Sequence, residues 1–279
     1  MFWKRLISGV VLIIIALAVL FFGGPVTGIS VMILSLIGVY ELCKVYEIEE
    51  RSPAVMAYIW TVLYYAALML GEFTIKGFPV RKLTMPLMII YLLAMLSVYV
   101  IRFPKYHDRE IFAAFMSFFY VSVMLSYIYK LRTMHEGGYF VVLVFLCSWG
   151  NDTLAYCVGV LFGKHKMSPK LSPKKSVEGL IGGIVGAGLL GCLYGLFLNG
   201  RVEQLTDIHI SLTLFIVCAL GAIPAVIGDL AASAIKRNND IKDYGDLIPG
   251  HGGVLDRFDS MIFTAPIIYY LVQFVVGQG

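Results

Sequence analysis

Between Ser233 and Asp259, 27 residues carry four basic side chains (Lys236, Arg237, Lys242, Arg257) and five acidic ones (Asp240, Asp243, Asp246, Asp256, Asp259). Pro249 and the turn His251-Gly252-Gly253 lie among them, and the strip directly follows a hydrophobic run. Acids and bases at this density suit the binding of metal-bound polyphosphate at a bilayer surface. Mg2+ is typically held by one or two carboxylates and completed by water and phosphate oxygens. Asp256 and Asp259, at i and i+3, can share a helix face where the last apolar run begins, and Asp229 can approach from the preceding run. Gly250, Gly252 and Gly253 allow backbone to lie against a phosphate. His251 has two open readings: a general acid or phosphate donor, or a brace for the loop.

Two further stretches belong with this strip. Asp229, Ser233, Lys236 and Arg237 recur at i, i+4, i+7 and i+8, so one helical stripe carries an acid, a hydroxyl and two cations. Pro224, five residues before Asp229, removes a backbone donor and invites a kink. Upstream, Ser148, Asp152, Tyr156, Gly159 and Gly163 form a second face. A carboxylate inside a span costs at least ~2.5 kcal/mol on insertion scales, so Asp152 must meet protein, water or a cation. The loop after it carries Lys164, Lys166, Lys170, Lys174 and Lys175 with no acid before Glu178. Ser172-Pro173 there suits a helix start, whose free N–H groups favour phosphate.

The remainder of the chain reads as the scaffold for these residues. It is 59% hydrophobic and only 14% charged, with mean hydropathy +0.84, which is the composition of an integral membrane protein. Apolar runs at about 6–23, 26–43, 53–71, 84–101, 111–129, 138–162, 178–198, 211–235 and 260–276 predict an all-α fold of about nine spans. The first lacks a small-x-small cleavage site and is expected to be retained. With the N-terminus in the cytoplasm, 16 of the 22 Lys and Arg fall inside and six outside (Lys76, Arg81, Lys82, Lys130, Arg132, Arg201). The positive-inside rule thus places the C-terminus outside. The net charge of +4 follows from this bias and from lipid contact, so no nucleic-acid partner is expected.

Residues 1–137 read as a five-helix scaffold. Residues 138–279 read as a four-helix catalytic region with cytoplasmic loops 163–177 and 237–259, because the embedded acids and most glycines lie there. Gly179 with Gly183, and Gly182 with Gly186, form small-xxx-small pairs for close helix packing. The five cysteines show no metal or C-x-x-C spacing and are expected to pack apolar surfaces.

The segment Ser233 to Asp259 resembles the full signature of phosphatidate cytidylyltransferases, S-x-apolar-K-R-x4-K-D-x-small-x2-apolar-P-x-H-G-G-apolar-x-D-R-apolar-D, with every specified position satisfied. Asp152 to Tyr156, Gly163-Lys164, Ser172 to Lys175 and Glu178-Gly179 are also similar to that family's pattern, so the resemblance covers roughly 145–260. It implies the reaction of CTP with phosphatidate to give CDP-diacylglycerol and pyrophosphate in the cytoplasmic leaflet of the cell membrane. It also implies Mg2+, alone or with a second cation, a polar cavity open to the cytoplasm, and a homodimer. By the same resemblance the metal-binding acids are Asp229 and Asp256, with Asp152, Asp246 and Asp259 ranked after them. Lys236, Arg237 and Arg257 then neutralise phosphates, Lys174 and Lys175 receive triphosphate or headgroup, and Ser172, Ser233, Lys242, Gly252 and Gly253 contact substrate.

Two other classes compete. A CTP-dependent lipid kinase acting on a polyprenol or phytol would move the γ-phosphoryl group to a neutral alcohol. An ion or solute transporter would also use embedded acids, but transporters commonly show paired, interrupted helices in two repeats, whereas here the embedded acids lie in one half.

Overall fold

The computed structural model describes residues 2–71, 73–75, 78–202, 209–248, 250 and 252–276. His251 lies outside the described residues. The chain is helical nearly throughout: α1 (Phe2–Phe22), α2 (Gly24–Val45), α3 (Ser52–Met69), α4 (Thr84–Ile101), α5 (Asp108–Arg132), α6 (Gly137–Phe162), α7 (Val177–Leu198), α8 (Ile210–Asn238) and α9 (Leu255–Val276). Among the described residues, α2 to α9 are long and apolar enough to cross a membrane, and Gly9–Phe22 of α1 is a shorter apolar helix. Large apolar side chains such as Phe21, Leu93, Ile101, Leu161, Leu193 and Phe274 are exposed, as a hydrocarbon solvent requires. The fold is therefore that of an all-α polytopic membrane protein, as the apolar runs predict.

The chain divides into two compact units, Met1–Tyr129 with Ile241–Arg257, and Lys130–Asp240 with Phe258–Gly279. In the first, Pro25 and Pro53 sit at the starts of α2 and α3, where the missing N–H is no loss. Its core is built from Tyr64, Tyr65, Tyr91 and Phe118, with the Tyr91 and Phe118 rings 4.6 Å apart. Hydroxyls buried in this core are paired, as burial demands: Ser35 with Tyr65 at 2.8 Å, Thr61 with Ser122 at 2.7 Å, and Tyr91 donating to the Ala114 carbonyl at 2.8 Å.

In the second unit glycine sets the helix spacing. A Cβ at Gly183 would lie 2.5 Å from Asn151 Oδ1 and one at Gly182 2.6 Å from Val158 Cβ, so α7 packs backbone-close on α6. On the other side a Cβ at Gly191 would lie 2.4 Å from the Leu214 carbonyl of α8. Gly183→Val therefore forces α6 and α7 apart. Overpacking of this kind costs about 1–3 kcal/mol, and a lower unfolding temperature in detergent, followed by tryptophan fluorescence, is the expected result. An unchanged transition would disprove the tight seam.

Two sequence readings change here. Ser172-Pro173 does not start a helix. Lys166–Ser168 and Ser172–Ser176 form an antiparallel hairpin with Lys166 opposite Ser176. Helix α7 begins at Val177, capped by Ser176, whose hydroxyl accepts the Gly179 N–H at 3.1 Å. Ser148 also leaves the predicted stripe. A wide π turn over Leu146–Gly150 shifts the register, and its hydroxyl is buried and donates to the Val144 carbonyl at 2.7 Å. Helix α8 runs through Pro224 without ending. Of the five free cysteines, Cys43, Cys147 and Cys218 are buried, Cys192 is half-buried and Cys157 is exposed.

Candidate active site

Four elements of the second unit converge on a cavity of about 380 Å3, a size usual for small-molecule sites. Helix α6 lines it with Asn151, Asp152, Ala155, Tyr156, Gly159 and Val160, and α8 with Val226 and Asp229. The hairpin contributes Lys166, Met167, Lys174, Lys175 and Ser176, and α7 adds Gly179 and Leu180. Strand pairing is what shapes the lysine-rich loop into one wall of the cavity. Glu178 reinforces it by accepting the backbone N–H groups of Lys164 and His165 at 3.1 and 3.2 Å and pairing with the His165 ring at 2.6 Å.

Asp229 is the centre of the charge arrangement. It forms an ion pair with Lys175 and accepts the Ser233 hydroxyl at 3.4 Å. Asp152 accepts from Ser260 at 3.2 Å and from the Asn151 amide at 3.3 Å, and it interacts electrostatically with Asp229 and Lys175. Asp259, buried in α9, accepts the Ser260 N–H at 2.8 Å and interacts with Asp229, Asp152 and Lys236. Three carboxylates thus act on one another in a poorly solvated region, where Coulomb repulsion is stronger than in water. Lys175 and Lys236 are the cations that offset it.

Among the described residues no three His, Cys, Asp or Glu side chains form a group that could hold a metal ion by themselves. Mg2+ does not need such a group, since one or two carboxylates with water and phosphate oxygens suffice. The donor set fits that ion, since the cavity offers the anionic carboxylate oxygens of Asp152 and Asp229.

The first unit holds the other part of the signature, residues 241–257. There the Asp256 Oδ2 accepts the N–H groups of Tyr244 at 2.8 Å and Gly253 at 2.9 Å, drawing both ends of the loop onto one carboxylate. Ile248 and Gly252 make a short bridge, and Gly252 adopts φ 87°, a left-handed conformation that glycine tolerates best. Gly253, expected to lie against phosphate, gives its N–H to Asp256 instead, and a Cβ there would meet Glu41 Oε1 at 2.6 Å. Asp246 and Lys242 are exposed, Arg257 is half-buried in the first turn of α9, and Arg237 is exposed in the last turn of α8. Ser172 is half-buried in the hairpin and is not among the cavity's lining residues.

Three residues that bear on the site carried no weight in the sequence reading: Glu41, Asn151 and Ser260. Glu41 had a signal, being a lone carboxylate near the end of an apolar run. The other two are uncharged and common in spans, so nothing marked them.

The sequence model of the cytidylyltransferase family matches residues 3–275. The phosphatidate cytidylyltransferase of Staphylococcus epidermidis strain RP62A is 30% identical over 270 residues, spanning 96% of this chain and 98% of that protein. The phosphatidate cytidylyltransferase of Staphylococcus aureus strain COL is 31% identical over 271 residues with the same coverage, and that of Staphylococcus saprophyticus is 30% identical over 271 residues. With the signature, the helical membrane fold and a match of nearly full length in agreement, the chain belongs to the cytidylyltransferase family.

Proposed function

We propose that this chain transfers the cytidylyl group of CTP to phosphatidate. A phosphate oxygen of the lipid attacks the α-phosphorus of CTP, the bond from that phosphorus to the α,β-bridging oxygen breaks, and pyrophosphate leaves with the electron pair. The products are CDP-diacylglycerol and pyrophosphate. The observation that carries the reading is the cavity in which Lys166, Lys174 and Lys175 stand beside Asp152 and Asp229. A cavity so lined receives a polyanion and a cation together.

Its chemistry follows from the reactants. An ionised phosphate monoester is already a nucleophile, so no strong base is required, and no Ser-His-Asp arrangement is needed. Drawing two polyanions together and neutralising them accounts for most of such catalysis. Lys174 and Lys175 take phosphate charge, and Lys236, Arg237 and Arg257 add to it. Asp229 and Asp256 would hold Mg2+, with Asp152, Asp246 and Asp259 ranked after them. Bound Mg2+ supplies charge neutralisation on the triphosphate. Lys175, which pairs with Asp229, would be released to phosphate when that carboxylate holds Mg2+.

The excess of Lys and Arg in alternate loops supports a cytoplasmic N-terminus and a reaction at the cytoplasmic face of the cell membrane. We further propose a homodimer, which native mass spectrometry of the protein in nanodiscs tests. CTP labelled at the α-phosphate, incubated with purified protein, Mg2+ and phosphatidate, is expected to leave its label in the lipid extract. Transfer only of a γ-label would identify a lipid kinase, and solute flux into proteoliposomes without CTP a transporter.

A further inference from the structure

Glu41 sits in the last turns of α2, far in sequence from the signature, and is only 4% exposed. A carboxylate so buried in a span is costly and needs strong partners, and Glu41 corrects the expectation that the embedded acids lie only within residues 138–279. Its partners are two backbone donors: Oε1 accepts the Val254 N–H and Oε2 the Leu255 N–H, each at 2.8 Å. These are N–H groups at the start of α9, which the helix itself leaves unsatisfied. A negative charge there also meets the positive end of the helix dipole. Both carboxylate oxygens are thus spent on the backbone just before Asp256.

The fit is close on other sides too. A Cβ at Gly253 would come within 2.6 Å of Glu41 Oε1, and one at Gly245 within 2.9 Å. Glycine at these positions therefore makes room for the carboxylate. Asp256 grips the same loop from the other direction through Tyr244 and Gly253. The N–H groups of Tyr244, Gly253, Val254 and Leu255 are thus shared between two carboxylates, one in the signature and one outside it.

We propose that Glu41 is a positioning residue for cytidylyl transfer: it holds the loop 241–257 and the first turn of α9 in the geometry that Asp256 and Arg257 need. This rests on the function proposed above. Glu41→Gln keeps the shape but sets an amide N–H against a backbone N–H. The expected result is a fall in kcat of ~10- to 100-fold, the range for losing a hydrogen bond to a charged group, with the KM for CTP changed less than threefold. Hydrogen exchange at 241–257 should speed up while exchange in α6 and α7 stays as in the wild type. Glu41→Asp should recover part of kcat.

The contact itself is tested by pairing substitutions. Gly253→Ala should lower the unfolding temperature in the wild type and do so much less in Glu41→Ala, where the carboxylate is gone. Equal effects in the two backgrounds would overturn the contact. Wild-type exchange and kcat in folded Glu41→Gln would overturn the positioning role. Wild-type protein that fails to label lipid from α-labelled CTP would instead sink the functional reading, and the exchange measurement would still report on Glu41.

Discussion

Asp229→Asn is expected to lower kcat about a hundred- to a thousandfold, the scale of losing one preorganised electrostatic contact, without lowering the unfolding temperature. Two opposed effects set the second half of that statement. The substitution removes the partner of Lys175, which is destabilising, but Lys175 and Asp229 are 27% and 25% exposed, so the freed ammonium can be hydrated. It also removes one of three carboxylates that repel one another, Asp152 and Asp259 being the others. Relief of that repulsion offsets the lost pair, and the variant should be as stable as the wild type or more so. Activity that needs a strained charge arrangement commonly trades against stability in this way. The measurement is pyrophosphate release at saturating CTP and phosphatidate, beside thermal unfolding in the same detergent, with Mg2+ titrated in both. The Mg2+ concentration for half-maximal rate should rise in the variant. Full turnover at the wild-type Mg2+ requirement would remove Asp229 from the metal site. A large loss of stability with the loss of turnover would make it a structural residue.

How much of this was legible beforehand depended on the energetic cost of each residue's placement. Asp152 and Asp229 were readable because a carboxylate in a span is expensive and demands an explanation. The structure brings both to one cavity with Lys174 and Lys175. Ser148 leaves its predicted face because a single π turn adds a residue to the period, and nothing in Leu146–Gly150 announces it. Ser172-Pro173 reads locally as a helix start, but strand pairing between Lys166 and Ser176, a contact spanning the loop and invisible to local rules, delays the helix to Val177 with Ser176 as its cap. Glu41 obeyed the same cost rule as Asp152 but lay near the end of its run, where an acid reads as interfacial. Its partners, 213 and 214 residues away, are supplied only by the fold. The glycines of the signature show a different limit: their presence indicated a close approach, but what approaches Gly252 and Gly253 is carboxylate from Asp256 and Glu41.

Asp256 is where two explanations of a signature acid can be separated. Its Oδ2 holds the Tyr244 and Gly253 N–H groups, and the residue is 8% exposed. Asp256→Asn can present its carbonyl oxygen to the same two donors, so the loop survives on weaker, neutral hydrogen bonds while the charge is lost. Asp256→Ala leaves both donors buried and unmet, at about 1–3 kcal/mol each. The expected pattern is therefore a split. The Asn variant should unfold within a few degrees of the wild type, as about 1 kcal/mol does in a chain of this size, yet lose about a hundredfold or more in kcat. The Ala variant should lose both and show fast exchange across 241–257. That pattern follows if the carboxylate serves Mg2+ or the phosphates through its charge as well as the loop through its shape. If Asn keeps turnover and only Ala abolishes it, Asp256 works solely as the knot of the loop, and the metal rests on the carboxylates around Asp229 alone.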